Sequence, residues 1–165
     1  MKRHVLSLTV LLLILAASAA AQDAKPDFSG KWVLDAAKSD FGPTPPPEYV
    51  THVIEHKEPN IKVVTSQKSI QGETTNERNL TTDGKDNTNK MRLMGGEQEV
   101  KSSSRWDGGK LATTMKLDVQ GATVELNDTW ELSGRGEVLT IVRAVKTPQG
   151  DFTVKTVFNK QSPSS

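Results

Sequence analysis

Phe28-Ser29-Gly30-Lys31-Trp32-Val33-Leu34 decides how this 165-residue chain is read. The stretch alternates as an extended strand does, with Phe28 and Trp32 falling on one side. It stands at the head of a run of short alternating segments separated by glycine turns. A Gly-x-Trp opening strand in a small all-β chain predicts a closed barrel, and small barrels tend to enclose ligands.

Upstream of this strand the chain has the layout of an export signal. Lys2, Arg3 and His4 form a basic start, Val5 to Leu15 an apolar run, and Ala19-Ala20-Ala21 a cleavage site. Residues 1–21 are therefore expected to be removed, residues 22–27 to form a flexible lead and residues 28–160 to form the barrel. Residues 161–165 are expected to form a disordered tail. The apolar run is short for a membrane span. The sequence has no cysteine, so disulfides and a cysteine-borne lipid anchor are excluded. A periplasmic or secreted location follows, without stable membrane insertion.

Loss of Lys2 and Arg3 would reduce the 21 basic residues to one fewer than the 20 acidic ones, a net charge of −1. That balance provides no electrostatic footprint for nucleic acid. The remaining length suits one domain with a single core. Thr and Val are plentiful, and no stretch holds a 3.6-residue apolar period. The class is all-β, a single antiparallel up-and-down barrel of about ten strands, with eight as the fallback count because residues 73–106 can be divided in more than one way.

The expected strands after the first are Tyr49–His56, Ile61–Ile70, Glu73–Thr82, Thr88–Met94, Gln98–Trp106, Lys110–Val119, Ala122–Leu132, Val138–Lys146 and Asp151–Asn159. Asp83-Gly84, Gly95-Gly96, Asp107-Gly108-Gly109, Gln120-Gly121 and Pro148-Gln149-Gly150 supply hairpin turns. A weak repeat supports the hairpin layout, with Trp106-Asp107 through Gln120-Gly121 echoed by Trp130-Glu131 through Gln149-Gly150. In a meander the three Gln-Gly turns, including Gln71-Gly72, share one end with the Pro-rich connection from Phe41 to Pro47. That connection would then be a stiff flap at the mouth. An even strand number allows the last strand to pair with the first and leave no edge.

Alternation proposes the inward side chains. Leu111, Met115 and Leu117, then Leu126, Asp128 and Trp130, then Leu139, Ile141 and Arg143 make a mostly apolar arc. Arg78 with Asn76, and Ser102 with Ser104, make a polar one. A polar arc suits a ligand cavity better than a filled core. Arg78 and Arg143 are candidates to receive a ligand carboxylate. The competing reading for Arg143 is a structural pair with Asp128. Met115, Trp106 and Trp130 are candidate pocket walls or plain core.

No metal or cofactor is expected. His52 and His56 stand about 13 Å apart on one strand, too far to share an ion. Asp83 to Asn89 lacks the glycine and glutamate of a calcium loop. Asn79-Leu80-Thr81 and Asn127-Asp128-Thr129 fit a glycosylation pattern but fall within strands. No catalytic motif is present, and the chain is not expected to be an enzyme.

The opening strand Phe28 to Leu34 resembles that of the lipocalin and fatty-acid-binding-protein superfamily. With Lys38-Ser39-Asp40-Phe41-Gly42 it also resembles small exported bacterial proteins with lipocalin-like barrels. The resemblance implies a calycin-type barrel, with Gly30 and Trp32 closing one end and a small apolar or amphipathic ligand inside. Ligand contacts are expected at Arg78, Ser102, Ser104, Met115, Trp130 and Arg143. Two departures stand out. Lipocalins place a last-strand arginine over the tryptophan, where this chain reads Phe158-Asn159-Lys160, and the Pro-rich segment cannot supply the two helices of fatty-acid-binding proteins. The alternative to a ligand carrier is a filled barrel acting as an interaction or structural module of the cell envelope. Its outer patch would be Val138, Val142 and Ala144, and its protein partner is unknown.

Overall fold

A computed structural model describes residues 25–70, 72–93, 96–119 and 121–162, so the expected signal segment lies outside the described residues. Ten strands follow one another: β1 (Gly30–Leu34), β2 (Tyr49–Lys57), β3 (Asn60–Ser69), β4 (Gly72–Thr81), β5 (Asp83–Leu93), β6 (Gly96–Asp107), β7 (Lys110–Val119), β8 (Ala122–Ser133), β9 (Val138–Thr147) and β10 (Gly150–Gln161). Each pairs antiparallel with its chain neighbour except at one place, and β1 pairs with β10. The fold class is the expected up-and-down barrel. Its last strand runs beyond the expected barrel limit, with Gln161 opposite Lys31. At the other end of the chain, Lys25 sits over the Trp106 ring and Asp27 accepts the Ser29 N–H.

β1 is short, and the connection after it does part of a strand's work. The Asp35 N–H donates to Val157 O, and Asp40 and Lys155 exchange both backbone bonds at 2.7 Å. Gly42 passes so close to β10 that a Cβ there would stand 2.9 Å from Thr153 O. Residues 35–42 are thus a continuation of the wall, which takes Phe41 and Gly42 out of the expected flap. Only Pro43 to Pro47 cross the rim, ending where the Glu48 N–H donates to Lys68 O.

The expected complete closure is also corrected, at the β4–β5 seam. Among the described residues no backbone ladder joins these strands. Side-chain amides bridge them instead. Asn76 donates to Arg92 O at 3.1 Å and accepts the Arg92 N–H at 2.7 Å. Asn89 does the same for Asn79, donating at 3.0 Å and accepting at 2.7 Å. Nearer the turn, Asn87 donates to Thr81 Oγ1. Each amide carries a donor and an acceptor, so it can replace a peptide group across a wider gap.

The base is filled by aromatic rings. Phe28, Trp32 and Trp130 are fully buried. Phe28 stacks on Trp106 and His56 and meets Trp130 edge-on. Burying a ring of this size stabilises by about 4–6 kcal/mol at the usual value per unit area. The Glu58 carboxylate draws this end together by accepting from Thr82 Oγ1, His56 Nε2 and Trp106 Nε1. Toward the mouth a second cluster, Val100, Met115, Leu126 and Val145, packs against only partly buried neighbours.

Candidate functional site

Between the plugged base and the mouth lies a polar layer. Arg78 enters it from β4, where alternation turns Asn76, Arg78 and Leu80 inward. The residue is only 6% exposed. Its Nη1 donates to the Met115 thioether at 3.2 Å, reaching across the barrel to β7. Sulfur is a weak acceptor, and among the described residues no carboxylate lies within ion-pair distance of Arg78. Burial pulls the guanidinium down to about 10; the charge of Asp128 opposes this, and that of Arg143 adds to it.

Arg143 has the partner that Arg78 lacks. Nε and Nη2 donate to the two oxygens of Asp128, both at 2.7 Å, from directly opposed positions on β9 and β8. The Asp128 side chain is 1% exposed, whereas that of Arg143 is 35% exposed and so reaches water. Burial disfavours the Arg143 cation, but the charge and hydrogen bonds of Asp128 prevail and raise its pKa. This bidentate pair is the structural alternative weighed for Arg143 on the sequence.

His52 contributes a neutral ring. Its Nδ1 lies 2.9 Å from Thr65 Oγ1, and the ring packs 4.5 Å from that of Phe158. Burial, then the charges of Arg78 and Arg143, push its pKa down to about 3 against the opposing charge of Asp128. The charged groups of the layer are thus Arg78, Arg143 and Asp128, a surplus of one positive charge.

The other expected site residues divide. Ser102 is 4% exposed, and its hydroxyl has no hydrogen-bond partner among the described residues. It pairs in register with Met115, beside the sulfur that Arg78 reaches. Ser104 is satisfied by Thr113 at 2.9 Å. Trp130 belongs to the base plug, where its indole nitrogen has no hydrogen-bond partner among the described residues. Trp32 donates from its indole nitrogen to Phe28 O, and Lys160 Nζ sits 5.3 Å over its ring. Arg78, Ser102, Met115 and Arg143 therefore belong to the polar layer, whereas Gly30, Trp32 and Trp130 close the base.

Above this layer the inward side chains are half-exposed. Met91, Leu93, Leu117, Val124 and Phe152 form an apolar side, and Thr65, Gln67, Thr74 and Asn76 form a polar side. These side chains give the mouth end of the barrel two chemically different sides. A separate open cleft of about 500 Å³ runs over β2–β4 to Asn87 on β5; it includes Glu55, Lys57 and Asn79 and none of the polar-layer residues.

Sequence reasoning passes over two features of the arrangement. On the sequence His52 reads only as a metal-ligand candidate. The Asn76 and Asn89 clasps have no sequence signal at all. Alternation does turn Asn76 and Asp128 inward as expected, but what these side chains meet lies on strands that only the fold brings near.

No family model matches this chain, and no curated protein sequence does. Solved structures do match. A secretory abundant heat soluble protein from Ramazzottius varieornatus gives a TM-score of 0.57 at 16% identity, covering 84% of this chain and 98% of that one. The zebrafish ileal bile acid-binding protein complexed with cholic acid gives 0.54 at 18% identity, covering 81% and 98%. A point mutant of the fluorescent protein UnaG gives 0.54 at 17%, covering 82% and 97%. At such identities the likeness is one of fold, and this chain shares with these proteins an antiparallel up-and-down β-barrel.

Proposed function

We propose that this chain is an exported, non-catalytic binding protein that holds a small amphipathic molecule with a single negative charge on its head. The head is received by Arg78 and Ser102, and the apolar part lies toward Met91, Leu117 and Phe152. One observation carries this reading: a buried guanidinium whose hydrogen-bond partner is a thioether. Taking a cation out of water costs several kcal/mol unless it is paired, so Arg78 is a cost to the fold that an anionic ligand would offset. The orphaned Ser102 hydroxyl beside the same sulfur is a ready donor to the same head group. The bound molecule in the zebrafish protein is cholic acid, an amphipathic acid, which agrees with this class of ligand.

The test compares hexadecanoate with hexadecanol on purified protein, by native mass spectrometry and titration. The wild type should prefer the carboxylate at least tenfold. Arg78→Met should lose that preference while melting no lower than the wild type, because it removes an uncompensated buried charge. Equal affinity for acid and alcohol in the wild type would defeat the proposal. A filled-barrel interaction module is the second reading, supported by the Arg143–Asp128 pair and the packed base. A protein isolated empty from its host, taking up neither probe, would favour it.

A further inference from the structure

The β4–β5 seam is the one junction of the described barrel without a ladder, and it lies against the proposed binding group. Ten residue pairs join β3 to β4. Across the seam, backbone groups are held only through the Asn76 and Asn89 side chains among the described hydrogen bonds. Arg78 is on β4 two residues from Asn76, on the same inward face. It is therefore flanked by Asn76 and by Asn79, whose backbone Asn89 clasps.

We propose that this seam is a lateral portal, through which the anionic head of a ligand reaches Arg78 directly, with Asn76 and Asn89 as its latch. The inference rests on the small-molecule reading above. Three observations support it. First, side-chain amides can rotate away without disturbing any strand register, whereas separating a ladder exposes a row of peptide groups at once. Second, each clasp leaves behind groups that water can satisfy, since Arg92 and Asn79 are exposed. Third, the lips carry exposed Glu77 and Lys90 and are polar. The mouth side above the layer is apolar on the β5–β10 arc. A charged head passing the seam need not first cross that apolar arc.

The latch residues are positioning residues, and a portal alters rates without altering affinity. The probe is 1-anilinonaphthalene-8-sulfonate, a monoanionic amphiphile followed by stopped-flow fluorescence. Asn89→Ala should raise the association and dissociation rates about equally, tenfold or more, with Kd changed less than twofold; Asn76→Ala, which also alters the inward face, should raise both rates. Asn89→Ser, whose single short hydroxyl cannot replace both amide bonds to Asn79, should fall between, and serves if the alanine variants fold poorly. Conversely, cross-linking Glu77→Cys to Lys90→Cys with a flexible bismaleimide should slow both rates, a clean experiment in a chain without cysteine. Unchanged rates in latch and cross-linked variants would overturn the portal while leaving the binding reading intact.

If the wild type binds no probe, the binding reading fails and hydrogen exchange judges the seam. The Asn79 and Arg92 amides should then exchange at least tenfold faster than ladder amides of β3 and β4, and faster again in Asn89→Ala and Asn76→Ala respectively. Protection equal to the ladder's would overturn the portal.

Discussion

Lys160 lies across Gly30, its Cε 2.6 Å from where a Cβ on residue 30 would stand, and its ammonium caps Trp32. Trp32 and Lys160 are directly opposed on β1 and β10. The Gly-x-Trp spacing thus has a local cause. The glycine sits at φ +138°, a conformation side chains resist, and its missing side chain leaves room for the lysine stem to cross to the tryptophan. Lysine here occupies the place where the lipocalin resemblance implies an arginine.

Gly30→Ala should therefore destabilise by about 1–3 kcal/mol, chiefly through backbone strain. The lysine end is flexible and can move aside, so adding Lys160→Ala should recover only a small part. Lys160→Met should cost about 0.5–1 kcal/mol, the worth of a cation over an aromatic face at a partly exposed site. Urea midpoints measure all three, and an unmoved midpoint for Gly30→Ala would contradict the strain argument.

The Arg143–Asp128 pair makes an ordered prediction because Arg78 stands near both members. Breaking a buried pair costs about 3–5 kcal/mol through the charge left behind. Arg143→Ala leaves Asp128 with the Arg78 charge still nearby, whereas Asp128→Ala leaves two cations, Arg78 and Arg143, without a carboxylate. The second variant should be the less stable. Asp128→Leu with Arg143→Met should lie nearer the wild type than either single change. Thermal unfolding of the four proteins at one pH checks the order.

The barrel was legible because its signals are local. Gly30 and Trp32, the glycine turns and the alternation of Leu126, Asp128 and Trp130 each act over a few residues. The start of β5 was less so. Asp83-Gly84 reads as a turn followed by loop, yet the strand already begins at Asp83 with a register shift before Asp86. There the Asp83 side chain accepts the Lys85 N–H, a local bond with the look of a turn on the sequence. The seam was illegible for a different reason. Asn76 and Asn89 are ordinary polar residues within strands, and nothing local says that their amides will bond a neighbouring backbone. The same holds for His52, whose partners Thr65 and Phe158 come from β3 and β10.

That buried histidine predicts a pH dependence confined to a definite window. The His52 pKa is about 3 in the folded protein and near 6.5 when unfolded, burial being the larger cause and Arg78 and Arg143 the next. Between these values the unfolded chain binds a proton that the native one does not, so stability rises with pH and is lost on acidification below 6.5. The loss is about 1.4 kcal/mol per pH unit, or about 2 kcal/mol by pH 5. Carboxylates with lowered pKa, such as Asp27, Glu58 and Glu125, add their own losses only below their ordinary range near 4.5. The interval from pH 5 to 6.5 therefore isolates His52 when the wild type is compared with His52→Gln, which keeps a neutral polar group near Thr65. The two stability curves should be offset by a constant above pH 7 and draw together, or cross, on acidification, the variant's being the flatter. Because the native ring stays uncharged throughout that interval, binding of a sulfonate probe should hold steady while stability falls. Parallel stability curves, or a sulfonate affinity that climbs as pH drops toward 5 in the wild type alone, would mean that His52 takes up its proton inside the folded barrel.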